Sequence, residues 1–266
     1  TQRCYGTVPN PLARCFMPRL STPKIRALKG VRKLVTLSLG TASLARVADE
    51  FCDFILVGDS INMTIYGQPS TRGISLDTMI AHGKSVVRST QNAAIIVDLP
   101  FGTYEQSPQQ AFANAERVLR ETECDGVKLE GGMAMIPTIS FLIERGIPVL
   151  GHVGLYPQHS AVLGGFVKER DEGKVIAEAK AQQEAGVFSM VVEAVPEDIG
   201  ESVSQSVSVP VIGIAAGDRV DGQRLVVDDL IGVNPAGAPP FVRQKAQIHS
   251  IVRDAVSDYA DDIRSL

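Results

Sequence analysis

Short runs of apolar and β-branched residues recur along the chain, and each run is followed by glycine, proline or polar residues and then by a helical pattern. Continuous apolar runs of this length are typical of strands that are covered on both faces, as in a parallel sheet. The predicted strands are residues 33–39, 53–57, 93–97, 126–129, 147–150, 187–192 and 209–214, with a weaker eighth candidate at 225–233.

The stretches between these runs have the length and composition of amphipathic helices. Ser107 followed by Pro108 is an N-cap with proline at the first helical position, which predicts a helix start. Residues 174–185 are rich in strong helix formers, and Gly186 stands at the expected stop. Residues 245–264 predict a final charged helix.

Seven or eight strand–helix units in roughly 230 residues predict a (β/α)8 barrel, the fold also known as a TIM barrel. The barrel is expected to occupy residues 21–266 without a domain break, because no linker or low-complexity tract interrupts the alternation. An open doubly wound sheet is the alternative, but no G-x-G-x-x-G motif follows the first strand.

Composition excludes several classes of protein. The chain has 26 Lys and Arg against 30 Asp and Glu, so it lacks the positive field of a nucleic-acid binder. No apolar run reaches the roughly 18 residues of a membrane span. Its four cysteines include no C-x-x-C pair, which argues against a zinc site, a redox motif or a disulfide scaffold. Small molecules are therefore the expected partners.

The first 33 residues carry eight basic residues and no acidic one. An acid-free, arginine-bearing N-terminus is typical of organelle transit peptides. The alternative is a flexible extension over residues 1–20 followed by an exposed first helix, and we expect a cytoplasmic protein in that case. A mitochondrial location follows if residues 1–20 belong to a transit segment.

Ionisable residues stand at the ends of five successive predicted strands. Because the catalytic groups of such barrels come from the carboxyl ends of several strands, these residues are expected to meet at one rim. They are Asp59 with Ser60, Asp98, Lys128 with Glu130, His152, and Glu193. Each taken singly fits a helix cap or a packing residue, but charges placed by chance would scatter over both ends of the barrel.

The residue types suggest metal-assisted enolisation of a 2-oxo acid. Asp59, Asp98 and Glu130 would supply hard oxygen donors, which favour Mg²⁺ or a similar divalent ion. Lys128 lies two residues before Glu130 and so points to the same face, where it could stabilise an enolate oxygen or form an internal ion pair. Glu193 follows a strongly apolar run, and partial desolvation would raise its pKa toward that of a general base.

At these residues the chain resembles the ketopantoate hydroxymethyltransferase family, also called 3-methyl-2-oxobutanoate hydroxymethyltransferases. The resemblance runs from about residue 21 to residue 266. The matching stretches are residues 56–60 (LVGDS), 98–101 (DLPF), 127–132 (VKLEGG), 151–155 (GHVGL), 157–158 (PQ), 164–165 (GG), 192–196 (VEAVP), 210–214 (PVIGI) and 221–223 (DGQ).

This resemblance implies a barrel of the phosphoenolpyruvate/pyruvate type, Mg²⁺ dependence and a homo-oligomer, typically a decamer. It also implies transfer of a hydroxymethyl group from 5,10-methylenetetrahydrofolate to 3-methyl-2-oxobutanoate, which gives 2-dehydropantoate for pantothenate and coenzyme A synthesis. The implied site residues are Asp59, Asp98 and Glu130 for the metal; Ser60, Lys128 and His152, together with Asp59 and Asp98, for the keto acid; and Glu193 as the base at C3.

Several loops depart from the pattern of this family. The usual Thr-Ala-Tyr-Asp, Leu-Pro-Val-Thr, Tyr-Lys-Val-Gln-Gly and Gly-Ile-Gly-Ala-Gly are replaced at residues 38–41, 72–75, 166–170 and 213–217. Two alternatives follow: a metal-dependent carbon–carbon lyase or decarboxylase acting on another 2-oxo acid, and a catalytically reduced paralogue. Related lyases often carry a rim cysteine that this chain lacks, and an inactive paralogue would be expected to have lost its carboxylates.

Overall fold

The computed structural model describes residues 19–266. Eight parallel strands close into a barrel in which each strand pairs with its neighbours in sequence order and the eighth pairs with the first. The strands are β1 (Leu34–Ser38), β2 (Phe54–Val57), β3 (Ala94–Asp98), β4 (Gly126–Lys128), β5 (Val149–Gly154), β6 (Ser189–Glu193), β7 (Val211–Ile214) and β8 (Gly222–Val226). The predicted (β/α)8 barrel is confirmed.

Helices follow the strands and surround the barrel. They are α1 (Thr22–Arg26), α2 (Ala42–Ala48), α3 (Ile61–Thr64), α4 (Leu76–Val87), α5 (Pro108–Thr122), α6 (Ile136–Glu144), α7 (Ser160–Leu163), α8 (Glu172–Ala185), α9 (Glu197–Ser206), α10 (Val227–Ile231) and α11 (Ile248–Arg264), with 3₁₀ turns at Thr71–Gly73, Met133–Met135 and Pro157–His159. The Ser107 hydroxyl accepts a hydrogen bond from the Gln110 N–H, as predicted for the cap of α5. No helix among residues 19–266 is long and apolar enough to cross a bilayer.

Alternation along the strands divides the core into two layers. Phe54 and Leu56 of β2 belong to a cluster inside the barrel, whereas Ile55 and Val57 pack beneath the surrounding helices. Both faces of most strands are therefore buried, which explains why the sequence shows continuous apolar runs rather than alternation.

The amino-terminal end of the barrel is closed by the segment before β1. Ile25 of α1 is fully buried and joins the interior cluster. Arg19 donates to the carbonyls of Val87 and Thr90, and the Leu20 N–H donates to the Asn92 carbonyl. At the opposite end of the barrel lie the carboxyl ends of the strands, where the predicted site residues are expected. Of the predicted transit segment or extension at residues 1–20, only Arg19 and Leu20 belong to the described residues, and residues 1–18 lie outside them.

The eighth strand was predicted at the wrong place. The candidate at 225–233 overlaps β8 by two residues only, because β8 begins at Gly222, where it pairs with Leu34 of β1, and α10 starts at Val227. The apolar pattern failed because Arg224, a charged residue, points into the barrel and is buried there. A prediction based on apolar runs therefore placed the eighth strand at the next apolar stretch, residues 225–233.

Candidate active site

The structure brings all seven predicted site residues to the carboxyl end of the barrel. Asp98, Lys128, His152 and Glu193 lie in strands, and the remaining three follow directly after strands β2 and β4. Asp59, Ser60, Glu130 and Glu193 line one cavity, and Asp98, Lys128 and His152 are fully buried among them. The predicted convergence at one rim is confirmed, whereas the role of each residue stays a prediction.

Lys128 forms the centre of a buried charge cluster. Its ammonium nitrogen lies 3.3 Å from Asp98 Oδ2 and 3.4 Å from Glu130 Oε1, which matches the shared face predicted from their spacing. Burial opposes its positive charge, but Asp98, Glu130 and Asp59 raise the pKa of Lys128 above its ordinary value. Lys128 is therefore a permanent cation in this site.

The carboxylates outnumber the cations that face them. Burial, together with the charges of Asp98 and Glu130, raises the pKa of Asp59 to about 8. Burial likewise raises the pKa of Glu130 to about 7, despite the opposing effect of Lys128. Such an excess of buried negative charge can be neutralised in two ways, by uptake of protons or by binding of a cation.

The donor set suits a hard divalent cation by charge and by ligand type. Asp98 Oδ1 is buried and has no hydrogen-bond partner, so it is free to accept a ligand. All the acidic groups offer oxygen, the donor preferred by Mg²⁺. Within residues 19–266, however, no three or more His, Cys, Asp or Glu side chains already form a metal-binding group. The residues fit Mg²⁺ in chemistry, and the side chains would have to adjust to hold it.

His152 lies between the two glutamates of the site. Its Nδ1 is 3.6 Å from Glu130 Oε1 and its Nε2 is 3.5 Å from Glu193 Oε2, and neither ring nitrogen has a hydrogen-bond partner. Burial, and then the charges of Lys128 and Arg224, lower the pKa of His152 well below its ordinary value. The neutral imidazole therefore offers one donor and one acceptor to a bound molecule.

Glu193 differs from the other carboxylates in remaining partly open to the cavity, with 15% of its side chain exposed. Burial raises its pKa to about 7, while Arg224 and Lys128 act in the opposite direction. A carboxylate of this pKa can take up a proton and release it near neutral pH, which is what a general base requires.

Two further residues of the site were not predicted as such. The hydroxyl of Tyr104, a fully buried residue, donates to Gln158 Oε1 at 2.5 Å and accepts from the Glu130 N–H at 3.2 Å. Gln158 in turn donates its side-chain amide to Asp59 Oδ2 at 2.8 Å and its backbone N–H to Glu130 Oε2 at 3.0 Å. This network fixes the orientation of two carboxylates, as the outer shell of a metal site does.

Arg224 is the third residue that sequence reasoning missed. It is 5% exposed, it lines the cavity, and its Nε donates to Ser38 Oγ at 2.7 Å. The only signal in the sequence is one arginine inside an otherwise apolar strand (GQRLV). Its charge lowers the pKa of Glu193 and of His152, so it lies close to the reacting groups.

A cavity of about 1110 Å³ opens above these groups. Its inner wall carries Asp59, Ser60, Glu130, Glu193 and Arg224, and its outer part carries residues of the segment between α10 and α11. The volume exceeds what one small acid fills and is ample for two reactants.

A family model decides what this barrel is related to. The model described as ketopantoate hydroxymethyltransferase matches residues 19–266, which is the whole of the described chain. The chain belongs to the ketopantoate hydroxymethyltransferase family. This assignment confirms the resemblance found at the strand ends, and it makes the protein a member of a family of one-carbon transferases.

Relatives of this family are similar over nearly the full length. The chain is 47% identical over 249 residues to the 3-methyl-2-oxobutanoate hydroxymethyltransferase of Ruegeria sp., covering 92% of this chain and 89% of that protein. It is 45% identical over 251 residues to the enzyme of the same name from Rhizobium rhizogenes, covering 93% and 92%.

Solved structures share the fold at much lower identity. A phosphonopyruvate hydrolase in complex with oxalate and Mg²⁺ matches with a TM-score of 0.61 at 12% identity, covering 92% of this chain and 87% of that one. A 2,3-dimethylmalate lyase, a member of the PEP mutase/isocitrate lyase superfamily, matches with a TM-score of 0.59 at 15% identity, covering 78% and 81%. These matches show that the chain shares its (β/α)8 fold with these structures.

Two of the four departures from the ketopantoate hydroxymethyltransferase pattern contribute to the wall of the cavity, and a third contacts Arg224. Phe166 and Lys168 of one altered loop line it, as do residues 214–217 of another. Ser38, which ends β1 and begins another altered segment, is the hydrogen-bond acceptor of Arg224. The inner carboxylates keep the family residues while the walls of the cavity differ.

Proposed function

We propose that this protein transfers a hydroxymethyl group from 5,10-methylenetetrahydrofolate to 3-methyl-2-oxobutanoate and so produces 2-dehydropantoate, the precursor of pantothenate and coenzyme A. One observation carries the proposal within this family. Glu193, a base of pKa about 7, lines the same cavity as Asp59 and Glu130, and Asp98 is buried beside them. Enolisation needs a base and an electrophilic centre, and the three carboxylates would hold the metal ion that serves as this centre.

Asp59, Asp98 and Glu130 would hold Mg²⁺. When bound, the ion polarises the 2-oxo group and thereby acidifies the neighbouring C3–H bond. Glu193 accepts the C3 proton on its carboxylate, and the electron pair of that bond moves into the enolate of the substrate. Lys128 and the neutral ring of His152 lie where they can donate hydrogen bonds to oxygens of the keto acid.

Carbon–carbon bond formation completes the reaction. One water molecule adds to the methylene carbon of the folate as its two C–N bonds break, which gives tetrahydrofolate and formaldehyde. The C3 carbon of the enolate attacks this formaldehyde, and the resulting alkoxide takes the proton from Glu193, so that 2-dehydropantoate is released and Glu193 is again a carboxylate. The folate donor is supported by three exposed cations, Lys168, Arg243 and Lys245, which line the cavity together with the acidic Glu197, Asp218 and Asp229. Cations in these positions suit the glutamate carboxylates of a folate tail.

A carbon–carbon lyase is the second candidate, because barrels of similar fold include lyases. The positions of the cysteines in the described chain argue against a lyase. Cys52 and Cys124 each stand two residues before a strand and so lie at the amino-terminal end of the barrel, away from the cavity. The family of the chain also favours the transferase.

The first experiment follows loss of the C3 proton signal of 3-methyl-2-oxobutanoate by NMR in D₂O, with the protein and Mg²⁺. We expect exchange that EDTA abolishes and that Glu193→Gln slows by about 100-fold or more, since a positioned base contributes about 10² to 10⁴ in rate. Glu184→Gln, which changes an exposed glutamate, is the matched control and should exchange at the wild-type rate.

Folate dependence then separates the two candidates. Addition of 5,10-methylenetetrahydrofolate to the exchanging enzyme should yield 2-dehydropantoate, whereas a lyase would cleave its 2-oxo acid substrate without folate. Absence of exchange by the wild-type protein, with Mg²⁺ present, would contradict the assignment of 3-methyl-2-oxobutanoate as the substrate. Exchange that survives in Glu193→Gln would contradict the assigned base.

Self-association is part of the same proposal. Helix α11 has no buried residue, and its apolar side chains at positions 252, 256, 259 and 263 lie on one face and are exposed. We propose that a second copy of the chain covers this face, in an assembly that the resemblance to the family gives as a decamer. Val256→Asp should lower the mass measured by light scattering, and Ser257→Asp, on another face of the helix, should leave it unchanged.

A further inference from the structure

The strongest unexplained group in the site is the guanidinium of Arg224. It is buried, yet in the described chain it has no carboxylate partner, and its single hydrogen bond goes from Nε to Ser38 Oγ. Its Nη1 is buried without any partner. A buried, unpaired arginine is costly unless a ligand neutralises it, so its presence in a cavity wall points to an anion.

A second unpartnered polar atom lies near it. Ser60 Oγ is buried and has no hydrogen-bond partner. A Cβ added at Gly58 would stand 3.1 Å from Ser60 Oγ and 3.5 Å from Arg224 Nη2, so both groups lie around the bare backbone of this glycine. The hydroxyl and the fork of the guanidinium thus share one small space next to Asp59.

The charge around this space favours a carboxylate. Glu193 and Asp59 would repel an anionic substrate, and Arg224 with Lys128 provides the opposing charge. A planar guanidinium binds a carboxylate through two parallel hydrogen bonds, which a single ammonium group cannot do. In a 2-oxo acid the C1 carboxylate is bonded directly to the 2-oxo carbon. The 2-oxo group would face the metal-binding carboxylates, and the C1 carboxylate would lie next to it.

We propose that Arg224, together with Ser60, binds the C1 carboxylate of the 2-oxo acid and makes the site selective for acids over neutral carbonyl compounds. This inference rests on the proposed function for the class of substrate. It adds a specificity-determining residue to the motifs that identified the family, since the matching stretch on this strand ends at Gln223.

The test measures dissociation constants by calorimetry at a fixed Mg²⁺ concentration. The ligands are 3-methyl-2-oxobutanoate and its uncharged amide, 3-methyl-2-oxobutanamide. Arg224→Met keeps the length of the side chain and removes the fork, and Arg224→Lys keeps the charge only. Exposed Arg88→Met is the matched control. Circular dichroism of each variant establishes that it is folded, and Arg224→Lys carries the test if Arg224→Met does not fold.

We expect Arg224→Met to bind the acid about 10- to 100-fold more weakly, because hydrogen bonds to charged groups contribute on that scale. Arg224→Lys should be intermediate, and Arg88→Met should match the wild type. Binding of the amide should stay within about twofold of the wild-type value in all variants. The preference for the acid over the amide should therefore be reduced only in the variants that lack the guanidinium of Arg224. Acid binding that is unchanged in both Arg224 variants would overturn the proposal.

Three further outcomes are informative. If the wild type binds a dicarboxylic 2-oxo acid such as 2-oxoglutarate more tightly than 3-methyl-2-oxobutanoate, and Arg224→Met loses that difference, Arg224 contacts a second carboxylate and the proposal is overturned. If the wild type exchanges the C3 proton but acid binding ignores Arg224, only this inference fails. If the wild type neither binds nor exchanges the keto acid, the proposed function fails with it.

Discussion

Removal of the Tyr104 hydroxyl is the sharpest test of how the carboxylates are held. This hydroxyl is the donor to Gln158 Oε1 and the acceptor of the Glu130 N–H, and the ring itself is fully buried. Tyr104→Phe keeps the ring and deletes both hydrogen bonds. Gln158 would then lose one of the contacts that fix its amide against Asp59.

The magnitude follows from the two groups left without a partner. A buried polar group that loses its hydrogen bond costs about 1–3 kcal/mol, so two such groups predict a loss of about 2–6 kcal/mol in the free energy of unfolding. Loss of an outer-shell partner typically weakens metal binding by about 10- to 100-fold. Both effects are expected from Tyr104→Phe, since Asp59 and Glu130 depend on the same network.

Urea unfolding in EDTA measures the first effect apart from metal, and a Mg²⁺ titration by calorimetry measures the second. Tyr66→Phe is the matched control, because Tyr66 is 48% exposed and water can replace the exposed hydrogen bond of its hydroxyl to His82. A Tyr104→Phe protein with an unfolding free energy within about 0.5 kcal/mol of wild type and unchanged Mg²⁺ affinity would refute the proposed network.

Three further predictions concern charge, backbone strain and thiols. The pKa values of Asp59 (about 8) and Glu130 (about 7) are raised above those of the unfolded chain, so the folded state holds extra protons from about pH 4 upward. In EDTA the free energy of unfolding should therefore fall as pH rises from 5.5 to 8.5, and saturating Mg²⁺ should reduce that fall; a rise in EDTA would contradict the sign. Ala215 has φ +54° where the family has glycine, so Ala215→Gly should raise the unfolding free energy by about 0.5–1 kcal/mol in urea; a loss would count against strain there. Burial raises the pKa of Cys52 and Cys124 to about 11, so peptide mapping should find both unalkylated by iodoacetamide at pH 8 until urea is added.

Much of the fold could be predicted from the sequence because a parallel barrel buries both faces of its strands. Seven strands appear as apolar runs, and five of them end in the ionisable residues that meet at the rim. The rule that joins the two observations is geometric: parallel strands of a closed sheet share one carboxyl end. Asp59, Asp98 and Glu193 could be found in this way without any knowledge of side-chain contacts.

Residues that act across long distances in the chain could not be found in this way. Tyr104 stands in the loop after β3 and meets Gln158 from the loop after β5, 54 residues later. Nothing in the local pattern of either loop indicates the pairing. The roles of such residues depend on which loops the closed barrel brings together, and this is set by the whole sheet.

Arg224 shows how a failed pattern can itself carry information. Its charge disrupts the apolar run that would have located β8, and the same charge is buried near Ser38, Gly58 and Glu193. A strand that accepts a buried arginine gives up apolar contacts in the core and takes on the cost of desolvating a cation. Local sequence rules are expected to fail at positions selected for function rather than for stability. The misplaced eighth strand and the proposed carboxylate-binding residue therefore have one physical cause, a charged side chain buried inside the barrel.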